Sequence, residues 1–257
     1  MHKDITVVIT SCNRHDLLDR TLASFRAMES EGRVARILVA EDGDGDPGAV
    51  CAAHGAEWFR TVTRGGQVKL IDRAYAQVDT PFIFHLEDDW EFQRPGFMEK
   101  SRAFLEADPK ILLVWLRAWN DTSGHPLSYA APDRSHGQMA FDYTGCWNGF
   151  TFGPGLRRLA DYKLLGGSYE KLPTTMFVKA RNPTAALLTE VEASMFYRRA
   201  GYRAMILDEG GYVRHIGEER HVHHVDDRKT DISGLPRNAL CPCGSGQRVK
   251  NCHGALS

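Results

Sequence analysis

The stretch Ile83-Phe84-His85-Leu86-Glu87-Asp88-Asp89-Trp90 constrains this chain more than any other. The run from Pro81 to Leu86 is apolar and rich in β-branched and aromatic residues, the composition of a buried strand, and it passes without a spacer into three consecutive carboxylates. Three adjacent acids repel one another unless water or a cation separates them. Hard oxygen donors of this kind suit Mg²⁺ or Mn²⁺ bound together with substrate phosphates. An isolated acidic triplet is more often a solvated turn. Here the triplet closes a strand, the place where open α/β sheets bind ligands.

A second strand upstream ends the same way. Arg36 to Ala40 runs into Glu41-Asp42-Gly43-Asp44-Gly45-Asp46, and two strands that stop in carboxylates imply one shared cleft. Ahead of it, Ile5 to Thr10 is apolar on both faces, as in the middle of a parallel sheet, and is followed by the polar turn Ser11 to Arg14. Leu18, Leu22 and Phe25 then give helical spacing to about Met28.

A short helix around Ala49 to His54 leads to a strand near Trp58 to Val62, then to Gly65-Gly66 and a helix through Leu70, Ala74 and Val78. Paired glycines before a helix N-terminus permit close approach of phosphate, although a Gly-Gly pair taken alone reads first as an ordinary turn. Pro95 stands where a first helical residue would, ahead of Phe97, Phe104 and Leu105, and Ile111 to Leu116 is a further strand. The glycines and prolines of residues 120 to 140 predict a mobile loop over the cleft. Residues 143 to 152 mix aromatics with small polar groups, which either meet a sugar-like acceptor or pack a sheet edge. A helix from Pro183 to Gly201 places Leu187, Val191, Met195 and Tyr197 on its buried side and Glu190 opposite; Glu192, two positions on, cannot share that face. Arg203 to Leu207 and Tyr212 to His215 are short strands. His215 closes the second, whereas His221, His223 and His224 read first as surface imidazoles.

At 257 residues and 42% hydrophobic content the chain can form one large α/β domain plus a small appendage. Lys and Arg (32) nearly balance Asp and Glu (33), so no global field favours nucleic acid or an acidic membrane. No run approaches the roughly 20 apolar residues of a membrane helix, and the start is too polar for a signal peptide, so a cytoplasmic setting without an integral membrane segment is expected. Cys12, Cys51 and Cys146 are scattered, but Cys241, Cys243 and Cys252 cluster, which points to a local metal site and not a disulfide framework. With His253 they offer three thiolates and one imidazole, a closed set for structural Zn²⁺ in a segment too small to bury a core. Residues 236 to 254 resemble a SEC-C motif, which implies docking to a protein partner.

The order of features over residues 4 to 216 resembles the GT-A fold of family 2 glycosyltransferases. The implied fold class is α/β, a Rossmann-like, mostly parallel sheet flanked by helices, over residues 1–225, with a linker at 226–235 and a zinc-binding module at 236–257. The resemblance implies a nucleotide site of Thr10, Ser11, Asn13, Arg14, Glu41, Asp42, Gly66, Lys69, Glu87 and Asp88. It also implies Mn²⁺ or Mg²⁺ on Asp89 and His215, and Glu190 as the base that takes the acceptor's proton. The implied reaction moves a sugar from a nucleotide-sugar to an acceptor hydroxyl with inversion. The family usually has Asp where this chain has Glu41, Glu87 and Glu190. That departure favours an alternative, an inactive nucleotide-sugar-binding protein recruited through its zinc motif. A nucleotidyltransferase ranks last, because no glycine-rich basic loop follows the first strand.

Overall fold

The computed structural model describes residues 2–61, 64–122, 124–140, 149–173, 184–217, 220, 236–239 and 248–251. The chain divides into two compact units, residues 1–218 and 219–257. In the first, the elements run β1 (Ile5–Ser11), α1 (His15–Met28), β2 (Val34–Glu41), α2 (Gly48–Ala53), β3 (Glu57–Arg60), α3 (Gln67–Tyr75), β4 (Phe82–Glu87) and β5 (Trp90–Phe92). They continue with α4 (Phe97–Ala107), β6 (Ile111–Trp115), β7 (Leu127–Ala130), β8 (His136–Met139), β9 (Gly155–Arg158), α5 (Leu159–Leu164), α6 (Ala185–Arg199), β10 (Arg203–Leu207) and β11 (Val213–His215).

The main sheet has the order β3-β2-β1-β4-β9, parallel except for β9 at its edge. β1 is central and buried along its whole length, and its alternation sorts the core into two layers. Ile5, Val7 and Ile9 face Leu18, Leu22 and Phe25 of α1, where Phe25 meets Phe92 edge-on at 5.2 Å. Val8 faces the other way, toward Val68, Ile71 and Ala74 of α3. A second sheet, β6-β10-β8-β7, and a small antiparallel pair, β11-β5, complete the unit. In the second unit, the described residues show Val249 N donating to Ala239 O and Lys250 N to Arg237 O, both at 2.9 Å.

Several boundaries differ from the sequence reading. Within residues 120 to 140 the chain forms the hairpin β7-β8, because β8 finds an antiparallel partner in β10 and the prolines and Gly124 bracket the strands without interrupting them. Pro95 precedes α4 by two positions, since Gly96, at φ 91°, makes the turn that the helix starts from. α6 buries Val191 and Tyr197 as expected but leaves Leu187 and Met195 only partly covered, and it buries Glu192 in their stead. The strand expected to reach Val62 ends at Arg60, and residue 62 lies outside the described residues. Of the aromatic stretch, residues 143–148 also lie outside them, while Phe150 and Phe152 are core residues at 1% exposure, which removes them from an acceptor surface.

One carboxylate ties the loop after α5 to the main sheet. Asp72 of α3 accepts from Tyr162 Oη (2.8 Å), Ser168 Oγ (2.7 Å), Tyr169 N (2.9 Å) and Glu170 N (3.0 Å). Hydrogen bonds to a charged group are worth about 1.5–3 kcal/mol each and do not add. Asp72→Ala is therefore expected to lower unfolding free energy by about 2–4 kcal/mol. Urea denaturation followed by circular dichroism measures it, and a loss below about 0.5 kcal/mol would contradict the assignment.

Candidate functional site

The end of β1 is the platform of the site. Its last carbonyls hold both acidic turns: Asp88 N donates to Thr10 O (3.1 Å) and Asp42 N to Ser11 O (2.9 Å). Because β1 lies between β2 and β4 in parallel register, with Ser11 opposite Glu41 and Thr10 opposite Glu87, the two acid-ended strands stop side by side. The ends of two strands 46 residues apart in numbering, at Glu41 and Glu87, thereby flank the end of β1.

Glu87 is the last residue of β4, and Asp88-Asp89 make the tight turn into β5. Thr21 of α1 pins that turn, its Oγ1 donating to Asp88 O (2.8 Å) and accepting from Trp90 N (3.2 Å). Glu87 accepts from Gln67 Nε2 (2.6 Å) and Trp90 Nε1 (3.0 Å), two residues that the sequence reading did not single out. Asp88, fully buried, takes a two-point contact from Arg14 through Nε and Nη2. Asp89, 4% exposed, accepts on Oδ2 from Arg14 Nη1 (2.7 Å), with His215 Nε2 at 3.2 Å from the same oxygen. Its Oδ1 is buried and has no hydrogen-bond partner among the described residues.

β11 brings His215 to this place by pairing with β5, His215 opposite Trp90, and Ile216 N closes the ring by donating to Asp89 O (2.8 Å). A Cβ on Gly217 would stand 2.3 Å from Asp89 Oδ2, so only glycine lets the chain pass so close to the carboxylate.

The charges divide the acids. Burial pushes Asp88 up to about 7 against the pull of Arg14. Burial also raises Glu87, helped by the charge on Asp89. At Asp89 burial is outweighed by His215 and Arg14, so its carboxyl sits below the usual range. The hydrogen bond to Asp89 in turn raises His215. Of the three acids, Asp89 is the one whose carboxyl is held below the usual range.

The other acidic turn is occupied by its own backbone. Glu41 Oε1 accepts from Asn13 N (2.9 Å) and Gly43 N (2.6 Å), and Asn13 takes a positive φ of 55° to make that contact. Asp42 accepts from Gly65 N (2.9 Å) and Gly66 N (2.8 Å) at the start of α3. An anion thus does meet that helix N-terminus in this structure, and it is the side chain of Asp42. Lys69 pairs with Glu170 (3.1 Å), with both side chains about half exposed. Arg14, expected on a nucleotide, bridges Asp88 and Asp89 in this structure.

Glu190 of α6 is partly buried, and its Oε1 accepts from Phe152 N (2.6 Å) and Thr151 Oγ1 (3.1 Å). The same turn continues to Gly153, which lies against the Trp90 indole that holds Glu87. His221, His223, His224, Cys241, Cys243, Cys252 and His253 lie outside the described residues. Among the described residues no group of three or more His, Cys, Asp and Glu is arranged to hold a metal ion, and no helix is long and apolar enough to cross a membrane.

Known proteins match this chain in two separate ways. Residues 237–255 match the SEC-C motif. A 35-residue stretch is 49% identical to protein translocase subunit SecA of Hyphomonas neptunium, covering 14% of this chain and 4% of that protein. The corresponding figures for SecA 1 of Thermobifida fusca are 57% over 31 residues, 12% and 3%. In three dimensions the chain is similar to a mannosyltransferase of Pyrobaculum calidifontis solved with GDP-Man and Mn²⁺, with TM-score 0.56 and 14% identity over 79% of this chain and 54% of the other. For residues 1–349 of S. aureus TarS the values are 0.53, 16%, 85% and 61%. For GalNAc-T7 solved with UDP, GalNAc and Mn²⁺ they are 0.58, 14%, 82% and 42%. The fold is GT-A, and the chain spans about half the length of the solved structures it matches.

The Thr21 hydroxyl is the most direct test of how the acidic turn is held. Thr21→Val keeps the shape but leaves two buried backbone groups unpaired, at about 1–3 kcal/mol each. An unfolding free energy lowered by about 2–4 kcal/mol is expected from urea denaturation, and an unchanged midpoint would refute the role.

Proposed function

We propose that the larger unit, residues 1–225 by the sequence boundary, transfers a sugar from a nucleotide-sugar to an acceptor hydroxyl in the manner of family 2 glycosyltransferases. The observation that carries this reading is the buried, unpartnered Oδ1 of Asp89 beside His215, at the end of the fourth strand of a GT-A fold. An ionised carboxylate oxygen and an imidazole nitrogen fit Mn²⁺ or Mg²⁺, which commonly take only one or two protein ligands and fill the rest of the shell with substrate phosphates and water. Bound there, the cation supplies stabilisation for the negative charge that gathers on a nucleoside diphosphate leaving group.

The chain's own residues do the rest. The turn of Asn13, Glu41 and Asp42 is rigid and acidic, a wall suited to the donor groups of a base and ribose. Thr10, Ser11, Glu87 and Asp88 line the step between that wall and Asp89. Glu190, oriented by Phe152 N and Thr151 Oγ1, takes the proton from the acceptor hydroxyl as its oxygen bonds to the anomeric carbon. The bond from that carbon to the diphosphate breaks on the opposite side, so one displacement inverts the centre.

A second reading keeps the binding and drops the turnover: Glu41, Glu87 and Glu190, each one methylene longer than the aspartate usual in the family, suit a pocket that binds a nucleotide-sugar without turning it over. The smaller unit is read as a zinc module, with Cys241, Cys243, Cys252 and His253 as its ligands, that docks a protein partner. The free thiols of Cys12 and Cys51 suit a cytoplasmic setting.

Incubation with Mn²⁺ and a panel of nucleotide-sugars, followed by assay of released nucleoside diphosphate, tests the first reading. Turnover is expected from one donor, with Asp89→Asn abolishing it and Glu190→Gln lowering it by about 10²–10⁴-fold. Full activity in Glu190→Gln would overturn the base, and binding without turnover would establish the second reading. Zinc analysis is expected to find one ion per chain, removable by chelation, with transfer restored when the chelator is removed and Mn²⁺ alone is added back; transfer that returns only with Zn²⁺ would refute two independent units.

A further inference from the structure

The acidic turn is met by a cation of the chain itself. Arg14 stands at the N-terminal cap of α1, makes no capping bond with its side chain, and reaches in to lie between Asp88 and Asp89 with 13% of the side chain exposed. Two adjacent buried carboxylates, with Glu87 beside them, cannot be desolvated without a compensating charge. Arg14 supplies it.

The way it does so bears on the metal. Arg14 Nη1 and His215 Nε2 converge on the same oxygen, Asp89 Oδ2, at 2.7 and 3.2 Å, while Oδ1 is left without a partner. A divalent ion on Asp89 would stand within a few ångströms of the guanidinium, and two cations that close repel strongly in a partly buried site. A nucleoside diphosphate brings an acceptor of the geometry that a guanidinium binds at two points.

We propose that Arg14 is an exchange residue: it holds Asp89 in the metal-free protein and moves to the diphosphate when the metal binds, so that metal and nucleoside diphosphate each require the other. This rests on the assignment of the metal to Asp89 and His215. Arg14 acts on the metal by competition and on the donor by contact. By linkage, the factor by which diphosphate tightens metal binding equals the factor by which metal tightens diphosphate binding.

The test is calorimetric titration of Mn²⁺ into the full chain, alone and with UDP or GDP, for wild type, Arg14→Met, Arg14→Lys and Asp89→Asn. Met has a similar stem with neither charge nor oxygen. Arg14→Met is expected to bind Mn²⁺ alone roughly tenfold more tightly than wild type and to lose most of the tightening by nucleoside diphosphate, a coupling of about 5–150-fold in typical cases. Arg14→Lys is expected to bind Mn²⁺ alone as weakly as wild type. If Arg14→Met does not fold, Arg14→Met with Asp88→Asn, compared with Asp88→Asn alone, carries the same expectation, because it removes one buried charge of each sign.

Mn²⁺ binding in Arg14→Met no tighter than in wild type, with Asp89→Asn binding none, overturns the exchange and leaves the metal site standing. Binding that survives in Asp89→Asn, or is absent from wild type under every condition, overturns the metal assignment and the exchange together.

Discussion

Three carboxylates in a row at the end of a buried strand cannot be left to themselves, and their neutralisation organises the larger unit. The chain pulls Arg14 in from the first helix and His215 from the last strand to face Asp89, while Gln67 and Trp90 donate to Glu87. Each of these four comes from a different element. The acidic turn therefore links α1, α3, β5 and β11 through polar contacts, above a core that α1 and α3 close on opposite faces of the same sheet. Replacing the acids by neutral residues would relax the demand for charge, but it would also remove what these elements converge on.

The same demand gives the site its chemistry. Of the three acids, Asp88 has both oxygens engaged by Arg14 and Glu87 has one engaged by each of two neutral donors. Only Asp89 combines depressed basicity with an unpartnered oxygen. Gly217, packed where a side chain would strike Oδ2, and Ile216, bonded to the Asp89 carbonyl, hold the far side of the turn. A cation bound there would meet a fixed carboxylate and a fixed ring. The second acidic turn is held mostly by backbone: Glu41 Oε1 and both oxygens of Asp42 accept from the amides of Asn13, Gly43, Gly65 and Gly66, while Glu41 Oε2 faces the His15 imidazole, with Nε2 at 3.4 Å.

The frame was legible in the sequence because its signals are local. β1, β2 and β4 are apolar runs that stop in polar residues, and such runs leave few alternatives to a parallel sheet with its ligands at one end. What escaped depends on contacts between distant residues. Nothing in Arg14 distinguishes a guanidinium that meets phosphate from one that meets Asp88 and Asp89, since both are anions. Gly65 and Gly66 carry a sound signal for an anion at a helix start, and nothing in it points to Asp42, 23 and 24 residues away, which meets them in this structure. The hairpin of β7 and β8 was hidden by glycine and proline, because its pairing to β10 is set by a strand more than 60 residues later. Arg157, buried with Nε and Nη1 unpartnered and its guanidinium 5.4 Å from the Phe150 ring centre, had no signal at all, as a cation on an edge strand normally faces water.

The account stands or falls on where a divalent ion sits. A crystal of the full chain grown with Mn²⁺ and a nucleoside diphosphate, measured for manganese anomalous scattering, locates it directly. The account predicts a single peak in the larger unit at roughly 2.0–2.6 Å from Asp89 Oδ1 and from His215 Nε2. A peak away from both residues, or a nucleotide bound in the cleft with no manganese beside it, would contradict it.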